Sequence, residues 1–164
     1  MRVLGIDPAL NKTGWGIIDV ASDKSLKFVA SGIIKVNMSD DLFTKLKFIS
    51  KEIIKIIDDY NPDEISIEEV FVNKNPLTSL KLGHARGVIM ISCLKKGDHI
   101  YEYGANKIKK AICGAGKADK YQISMMVKQI LPKAEFCYDD ESDALAAAIC
   151  HIHYRNSFSL IQAV

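Results

Sequence analysis

Four acidic side chains that are far apart in the chain stand where strands and helices could bring them together. Asp7 ends an apolar run, Glu68 lies in an alternating segment, and Asp140 and Asp143 are three residues apart. Side chains alternate across a strand, so Glu68 shares a face with Ser66, opposite the apolar face. Residues three apart on a helix share a face. The pattern therefore allows all four carboxylates to meet at one place.

Converging carboxylates repel one another and do not stay ionised together without cations. Ligand sets made only of oxygen suit magnesium or manganese, and two such ions can clamp an in-line phosphoryl displacement. Three of the acids also have a structural explanation. Asp7 could start a turn with Pro8, Glu68 could lie on the polar side of a half-exposed strand, and Asp140 could cap a helix. Asp143 is harder to explain in this way, because close-packing residues follow it. The acids alone predict phosphoryl chemistry without identifying the substrate.

Composition and charge indicate a globular chain with an uneven charge distribution. The 164 residues carry a net charge of only +2, and 48% of them are hydrophobic, which is enough for a core. Between residues 105 and 120 there is one acid among five lysines, namely Lys107, Lys109, Lys110, Lys117 and Lys120. A segment of this kind suits phosphate binding, although it is also compatible with a solvated surface.

The cysteines and the N-terminus indicate where the protein works. The four cysteines form no C-x-x-C pair and lie among apolar residues, which favours buried free thiols. The chain shows no signal-peptide pattern and no apolar run of membrane-spanning length. We therefore expect a reduced, cytoplasmic protein with no membrane contact.

Periodicity predicts the order βββαβαβααα. Short linkers join the first three strands and favour an antiparallel meander, whereas a later strand reached through a helix favours parallel pairing. The predicted elements are strands over Arg2–Asp7, Thr13–Val20, Leu26–Val36, Glu64–Phe71 and Ile100–Tyr103, and helices from about Leu42 to Tyr60, Pro76 to Lys95, Asn106 to Cys113, Asp119 to Leu131 and Asp140 to Tyr154. An α/β fold with a mixed five-stranded sheet flanked by helices is the simplest packing of this order.

Four segments, in order and at similar spacing, resemble the motifs of the RuvC family of Holliday-junction resolvases. They are GIDPAL near the start, SIEEVF, LKLGHARG and DESDALAAAICH, and the likeness extends from Met1 to about Tyr154. The resemblance implies one nuclease domain over residues 1–164 with a ribonuclease-H-like fold of three antiparallel and two parallel strands. It further implies a magnesium-dependent homodimer that nicks four-way DNA junctions symmetrically in recombination and repair, and that works with the RuvA–RuvB branch-migration machinery.

The resemblance also assigns roles to individual residues. The catalytic, metal-binding tetrad would be Asp7, Glu68, Asp140 and Asp143, with Mg²⁺ as the cofactor, Mn²⁺ as a substitute and two ions per site during catalysis. The basic residues near the site would be Lys109 and Lys120, and the aromatic side chain that meets unstacked junction bases would be Phe71. The strand alternation independently selects Glu68 over Glu69.

Two further features bear on the resemblance. Ala9 stands where the family usually has glycine, and it would cost about 1 kcal/mol if the turn required positive φ. Gly83, Ala85 and Gly87 give the predicted second helix small residues that could let another chain approach, so this helix is the candidate dimer interface. The small residues could instead serve close packing on the protein's own sheet. His151 and His153 are interpreted as helix-end residues rather than metal ligands.

Three alternatives have to be weighed against a junction resolvase. A kinase or ATPase of the actin-like superfamily would need a second lobe, for which 164 residues leave no room. A YqgF-like RNA-processing nuclease would lack the IEEVF strand motif. A junction-binding protein without catalytic activity is disfavoured by the complete set of four acids.

Overall fold

The computed structural model describes residues 1–70, 75–97 and 99–159. The predicted order of elements is confirmed. The strands are Arg2–Asp7 (β1), Lys12–Val20 (β2), Leu26–Lys35 (β3), Glu64–Glu68 (β4) and Ile100–Tyr103 (β5). The helices are Leu42–Tyr60 (α1), Pro76–Cys93 (α2), Ala105–Cys113 (α3), Lys120–Ile130 (α4) and Asp139–Ser159 (α5), and the short 3₁₀ turn Leu94–Lys96 follows α2.

The five strands form one mixed sheet in the order β3-β2-β1-β4-β5. The first three pair antiparallel, and β4 and β5 join them in parallel, as the sequence predicts. Because β1, β4 and β5 run the same way, all three end at one edge of the sheet, where β2 begins and β3 ends. We call this edge the site edge.

Alternation along the strands divides the core into two layers. The first layer contains Leu4, Ile6, Ile17, Ile65 and Ile67 and packs against α1 and α2. The second contains buried side chains of β1, β2 and β5 and packs against α3, α4 and α5. Helices on both faces are the arrangement expected when parallel strands are joined by helical crossovers.

The helix boundaries follow from local capping chemistry. The Asp41 side chain accepts a hydrogen bond from the Thr44 N–H at the start of α1, and Asn75 caps α2 with Pro76 at its first position. Asn61 ends α1 in the left-handed conformation, with φ of 46°. Asparagine tolerates that conformation better than most residues, so the Asn-Pro pair stops the helix cleanly.

The longest helix, α5, lies directly on the sheet because three sheet residues have no side chain. A Cβ at Gly5 would overlap the carbonyl oxygen of Ala144, and one at Gly14 would overlap the carbonyl oxygen of Asp140. A Cβ at Gly16 would lie 2.6 Å from Cδ2 of Leu145. The glycines therefore set how closely the helix approaches β1 and β2.

Helix α2 corrects one sequence-based expectation. Gly83 and Gly87 are exposed, and a Cβ at either would meet no atom within 4 Å. Ala85, in contrast, is fully buried against the core under α1 and α2. Ala85 therefore cannot take part in a contact on the outer face of α2, because residues two apart on a helix point in very different directions, and only Gly83 and Gly87 of the three keep the predicted role open.

Two other expectations change in detail. His151 is a fully buried residue in the middle of α5, not a helix-end residue. Its ring lies 2.8 Å from the Tyr103 hydroxyl and 2.6 Å from a Glu64 carboxylate oxygen. Ala9 does not adopt positive φ, and its backbone N–H and C=O both bond the Thr13 hydroxyl, so alanine causes no strain there.

No helix in the described part of the chain is long and apolar enough to span a membrane.

The contact between α5 and the sheet generates the first prediction. Gly5→Ala should lower the free energy of unfolding by roughly 1–3 kcal/mol, because the new methyl group collides with backbone that cannot move aside easily. Urea unfolding measures the change. Gly87→Ala is the matched control, since it adds the same methyl group in open space, and equal losses for the two variants would contradict the prediction.

Candidate active site

Asp7 and Glu68 are brought together by the pairing of two neighbouring parallel strands. The register places Ile6 opposite Ile67, so the residues that follow, Asp7 and Glu68, lie side by side at the site edge. Ser66, two residues before Glu68, donates a hydrogen bond of 2.8 Å to the Ala147 carbonyl of α5. Glu68 therefore points towards α5, as strand alternation predicts.

Helix α5 supplies the other two acids from its first turns. Asp140 and Asp143 are three residues apart, so both lie on one side of the helix. The carbonyl group of Asp140 lies over Gly14, which pairs with Asp7 across β1 and β2. The start of α5 is thus held next to the strand that carries Asp7.

Glu141, which the sequence analysis did not single out, fixes the start of α5. One of its carboxylate oxygens accepts hydrogen bonds of 3.1 Å from the backbone N–H groups of Cys137 and Tyr138. The other accepts a bond of 2.8 Å from the Ser31 hydroxyl on β3. Glutamate at the third helical position is a known capping signal. Nothing in the sequence reveals the bond to Ser31, which is 110 residues away.

The acids share a cavity of about 280 Å³ with lysines from two helices. Asp7, Glu68 and Asp143 line it together with Lys109 from α3 and Lys120 from α4. The ammonium of Lys120 lies 3.5 Å from the Asp143 carboxylate. The cavity thus combines three acids and two cations at the end of the central strands.

Burial and mutual repulsion make these acids hard to ionise. Burial, followed by the negative charges of Glu68, Asp143 and Asp140, raises the pKa of Asp7 to about 8. Burial, followed by the charge of Asp143, raises the pKa of Glu68 to about 7. Burial also raises the pKa of Asp143, although Lys120 opposes this shift. Asp143 in turn raises the pKa of Lys120.

The remaining predicted residues have different positions. Asp140 is half-buried beside the cavity without lining it. Phe71, the predicted base-stacking aromatic, lies outside the described residues. Within the described ranges, no three acidic, histidine or cysteine side chains are grouped closely enough to form a ready-made metal site.

Comparison with known proteins gives a consistent result. Residues 3–151 match the family model for crossover junction endodeoxyribonuclease RuvC. A Rhizobium etli protein of that name is 46% identical over 164 residues, which cover 100% of this chain and 96% of the relative.

Solved structures show the same ribonuclease-H-like fold. A Thermus thermophilus RuvC structure has a TM-score of 0.84 and 25% identity, covering 96% of this chain and 97% of that one. A second structure, the same bacterium's RuvC in complex with a Holliday junction substrate, also has a TM-score of 0.84, at 23% identity, and covers 96% of each chain. The predicted fold class is confirmed.

The raised pKa values generate a prediction about stability in metal-free buffer. The pKa of Asp7 is about 8 in the folded protein, whereas an unfolded aspartate titrates near ~3.9. The folded state therefore binds more protons between these values, and stability should fall as the pH rises through this window. Asp7→Asn should raise Tm at pH 8, by roughly 2–4 °C for each kcal/mol that burying the charged carboxylate among other acids costs, with no gain at pH 4.

Differential scanning calorimetry with a chelator present tests this expectation. Asp59→Asn, which removes an exposed acid on α1, is the control and should show no pH-dependent gain. Parallel curves of Tm against pH for Asp7→Asn and the wild type would contradict the electrostatic description of the site.

Proposed function

This chain belongs to the RuvC family of crossover junction endodeoxyribonucleases, and we infer that it resolves Holliday junctions, using the carboxylate cavity at the site edge. It is an endonuclease of DNA recombination and repair. Its substrate is four-way junction DNA, the molecule bound by the Thermus thermophilus relative. The family match favours this function over a YqgF-like RNA-processing nuclease, and the experiment below distinguishes it from junction binding without cleavage.

The observation that carries the catalytic proposal is the meeting of acids from three separate segments. Asp7, Glu68 and Asp143 line one cavity with two lysines, and Asp140 stands beside it. Placing several acids close together in a partly buried cavity lowers the stability of the folded protein, because the like charges repel and are poorly solvated. Folding stability therefore does not explain this arrangement. Perturbed groups of this kind in a cavity are typical of catalytic sites.

We expect Mg²⁺, or Mn²⁺ in its place, to bind these acids, with two ions present during catalysis. The fit rests on the donor set, which is entirely carboxylate oxygen, and on the raised pKa values of Asp7 and Glu68. Burial, followed by mutual repulsion, raises both pKa values, and a bound divalent cation would favour the ionised carboxylates again, so that binding would release protons. When bound, such ions supply an activated water and stabilise the leaving oxygen. Asp7, Glu68, Asp140 and Asp143 would hold them.

The lysines would orient the phosphodiester and balance its charge. Lys109 and Lys120 line the cavity from the side of α3 and α4. The 3.5 Å contact with Asp143 keeps the Lys120 ammonium near the acids but leaves most of its side chain exposed, so it can still contact a phosphate. Preorganised cations of this type stabilise the charge that develops on phosphate oxygens.

Phe71 remains the proposed contact with unstacked bases at the junction. In the sequence it comes three residues after Glu68, the last residue of β4. Stacking a base on an aromatic ring is worth about 1–3 kcal/mol, enough to help hold an opened base pair.

The outer face of α2 is the proposed dimer interface. Gly83 and Gly87 are exposed there beside Leu80 and Ile91, which are 59% and 70% exposed, and Phe43 of α1 is 75% exposed. Such a patch is larger than isolated surface residues explain. A two-fold dimer formed through this face would present two active sites to a junction of matching symmetry. Cooperation with the RuvA–RuvB machinery is proposed on family resemblance alone.

Metal-dependent cleavage is the direct test of the function. The wild-type protein should nick a synthetic four-way junction with Mg²⁺ but not with a chelator. Asp7→Asn should reduce nicking by about 10²–10³-fold or more, because an essential charge-stabilising group is lost, while junction binding persists. Asp59→Asn is the charge-matched control. Junction binding without nicking by the wild-type protein would instead indicate a non-catalytic binding protein.

The dimer proposal leads to a separate experiment. Gly83→Leu should leave the subunit folded, because a Cβ there meets nothing within 4 Å, but it should obstruct close approach of a second copy. We expect monomers at micromolar concentration by analytical ultracentrifugation and singly nicked rather than linear cruciform plasmid. Gly83→Ala, which adds only a methyl group, is the size control. A Gly83→Leu protein that remains dimeric would place the interface elsewhere.

A further inference from the structure

Two lysines continue the site edge on the side away from Lys109 and Lys120. Lys12 begins β2, Lys35 ends β3, and the register pairs them directly. Both are exposed. Because the sheet order is β3-β2-β1-β4-β5, they lie on one side of the β1 carboxylate, while β4, β5 and the following α3 lie on the other.

Strand alternation places this lysine pair on the same face of the sheet as the acids. Asp7 pairs with Gly14, and Gly14 lies under the start of α5. Lys12 is two residues before Gly14, so its side chain leaves the sheet on the α5 side as well. A row therefore runs along the site edge from Lys35 through Lys12 to Asp7 and Glu68.

The lysine pair is not explained by folding stability. Like charges directly opposite each other on neighbouring strands destabilise a sheet. Within the described part of the chain, neither Lys12 nor Lys35 forms an ion pair. Two cations without acidic partners, next to a site that acts on a polyanion, suit a phosphate contact.

Tyr138 gives the pair an aromatic neighbour. The Lys12 ammonium lies 5.5 Å from the centre of the Tyr138 ring, which is 48% exposed. Tyr138 immediately precedes α5, and its backbone N–H is held by Glu141 at 3.1 Å. The Tyr138 backbone is thus anchored at the start of the helix that carries Asp140, and the exposed half of the side chain is open to a ligand.

The spacing fits a single continuous DNA strand. Strands in a sheet lie about 4.8 Å apart, so β2 and β3 are roughly 5 and 10 Å from β1. A DNA strand advances about 3.4 Å per nucleotide along its helix axis. The lysine pair is therefore within a few nucleotides of a phosphodiester placed at the carboxylates.

We propose that Lys12, Lys35 and Tyr138 form a second DNA contact, which binds phosphates of the cleaved strand on one side of the scissile bond while Lys109 and Lys120 bind on the other. This inference rests on the proposed function, and it adds a defined path for the strand across the site edge. The two lysines contact the phosphates, and the Tyr138 ring packs against the adjoining sugar or base.

The first experiment measures the salt dependence of junction binding without divalent cations. Lys12→Ala/Lys35→Ala should bind more weakly, and its slope of log affinity against log salt should decrease by about 0.7–0.9 for each phosphate that the variant no longer binds. Lys27→Ala/Lys55→Ala is the matched control, because it removes the same charge from exposed positions away from the site edge. An unchanged slope in the Lys12/Lys35 variant overturns the proposal.

The second experiment locates the contact on the DNA. Single phosphates around the cleavage position are replaced one at a time by uncharged methylphosphonates, and binding is measured for each junction. The wild-type protein should be sensitive on both sides of the cut. Lys12→Ala/Lys35→Ala should lose sensitivity on one side only, and Lys109→Ala/Lys120→Ala on the other. The proposed path is overturned if the Lys12/Lys35 variant loses sensitivity on a different arm of the junction. It is also overturned if both variants lose sensitivity on the same side of the cut.

Tyr138 and folding are tested in parallel. Tyr138→Phe should bind as the wild type does and Tyr138→Ala more weakly, because the ring rather than the hydroxyl makes the contact. Lys12→Ala/Lys35→Ala should have an unchanged or higher Tm, since a repulsive pair is removed, so weaker binding is not a consequence of unfolding.

Failure of the wild-type protein to nick junctions would reject the proposed function. If the wild-type protein nicks junctions normally but the Lys12/Lys35 variant shows the same sensitivity to each methylphosphonate as the wild type, only the inference about Lys12, Lys35 and Tyr138 is rejected.

Discussion

The close contact between α5 and the sheet is the interaction on which the site depends. Helix and sheet approach each other closely only because Gly5 and Gly14 carry no side chain where the α5 backbone crosses them. The same contact brings the first two turns of the helix, with Asp140 and Asp143, next to the strand end that carries Asp7. A bulkier sheet surface would move the helix outwards and separate the acids, so packing density and site geometry have the same origin.

That contact creates an electrostatic problem which the surrounding residues only partly relieve. Burial and mutual repulsion raise the pKa values of Asp7, Glu68 and Asp143. Among the residues that the structure describes, Lys120 alone stands close enough to pair with one of them. The cost is tolerated because two well-packed apolar layers lie on either side of the sheet. Sites that bind a ligand are commonly destabilised when it is absent, at the expense of overall stability.

The distribution of charge explains how a chain with a net charge of +2 can bind a polyanion. Four of its lysines stand around the site edge, and the half-buried acids lie between them. Lys109 and Lys120 come from helices that follow β5. Lys12 and Lys35 lie on β2 and β3, on the other side of β1. Local fields of this kind guide a charged ligand more effectively than net charge does.

Local patterns in the sequence determined the order of elements, the position of Asp7 at a strand end and the direction of Glu68, because periodicity and capping act over a few residues. The tertiary structure decided what depends on distant partners. It buries Ala85, which the small-residue pattern had grouped with the exposed Gly83. Strand register brings Lys12 beside Lys35, and helix docking brings Glu141 to Ser31. These pairings follow from how the whole core packs, and no short segment encodes them.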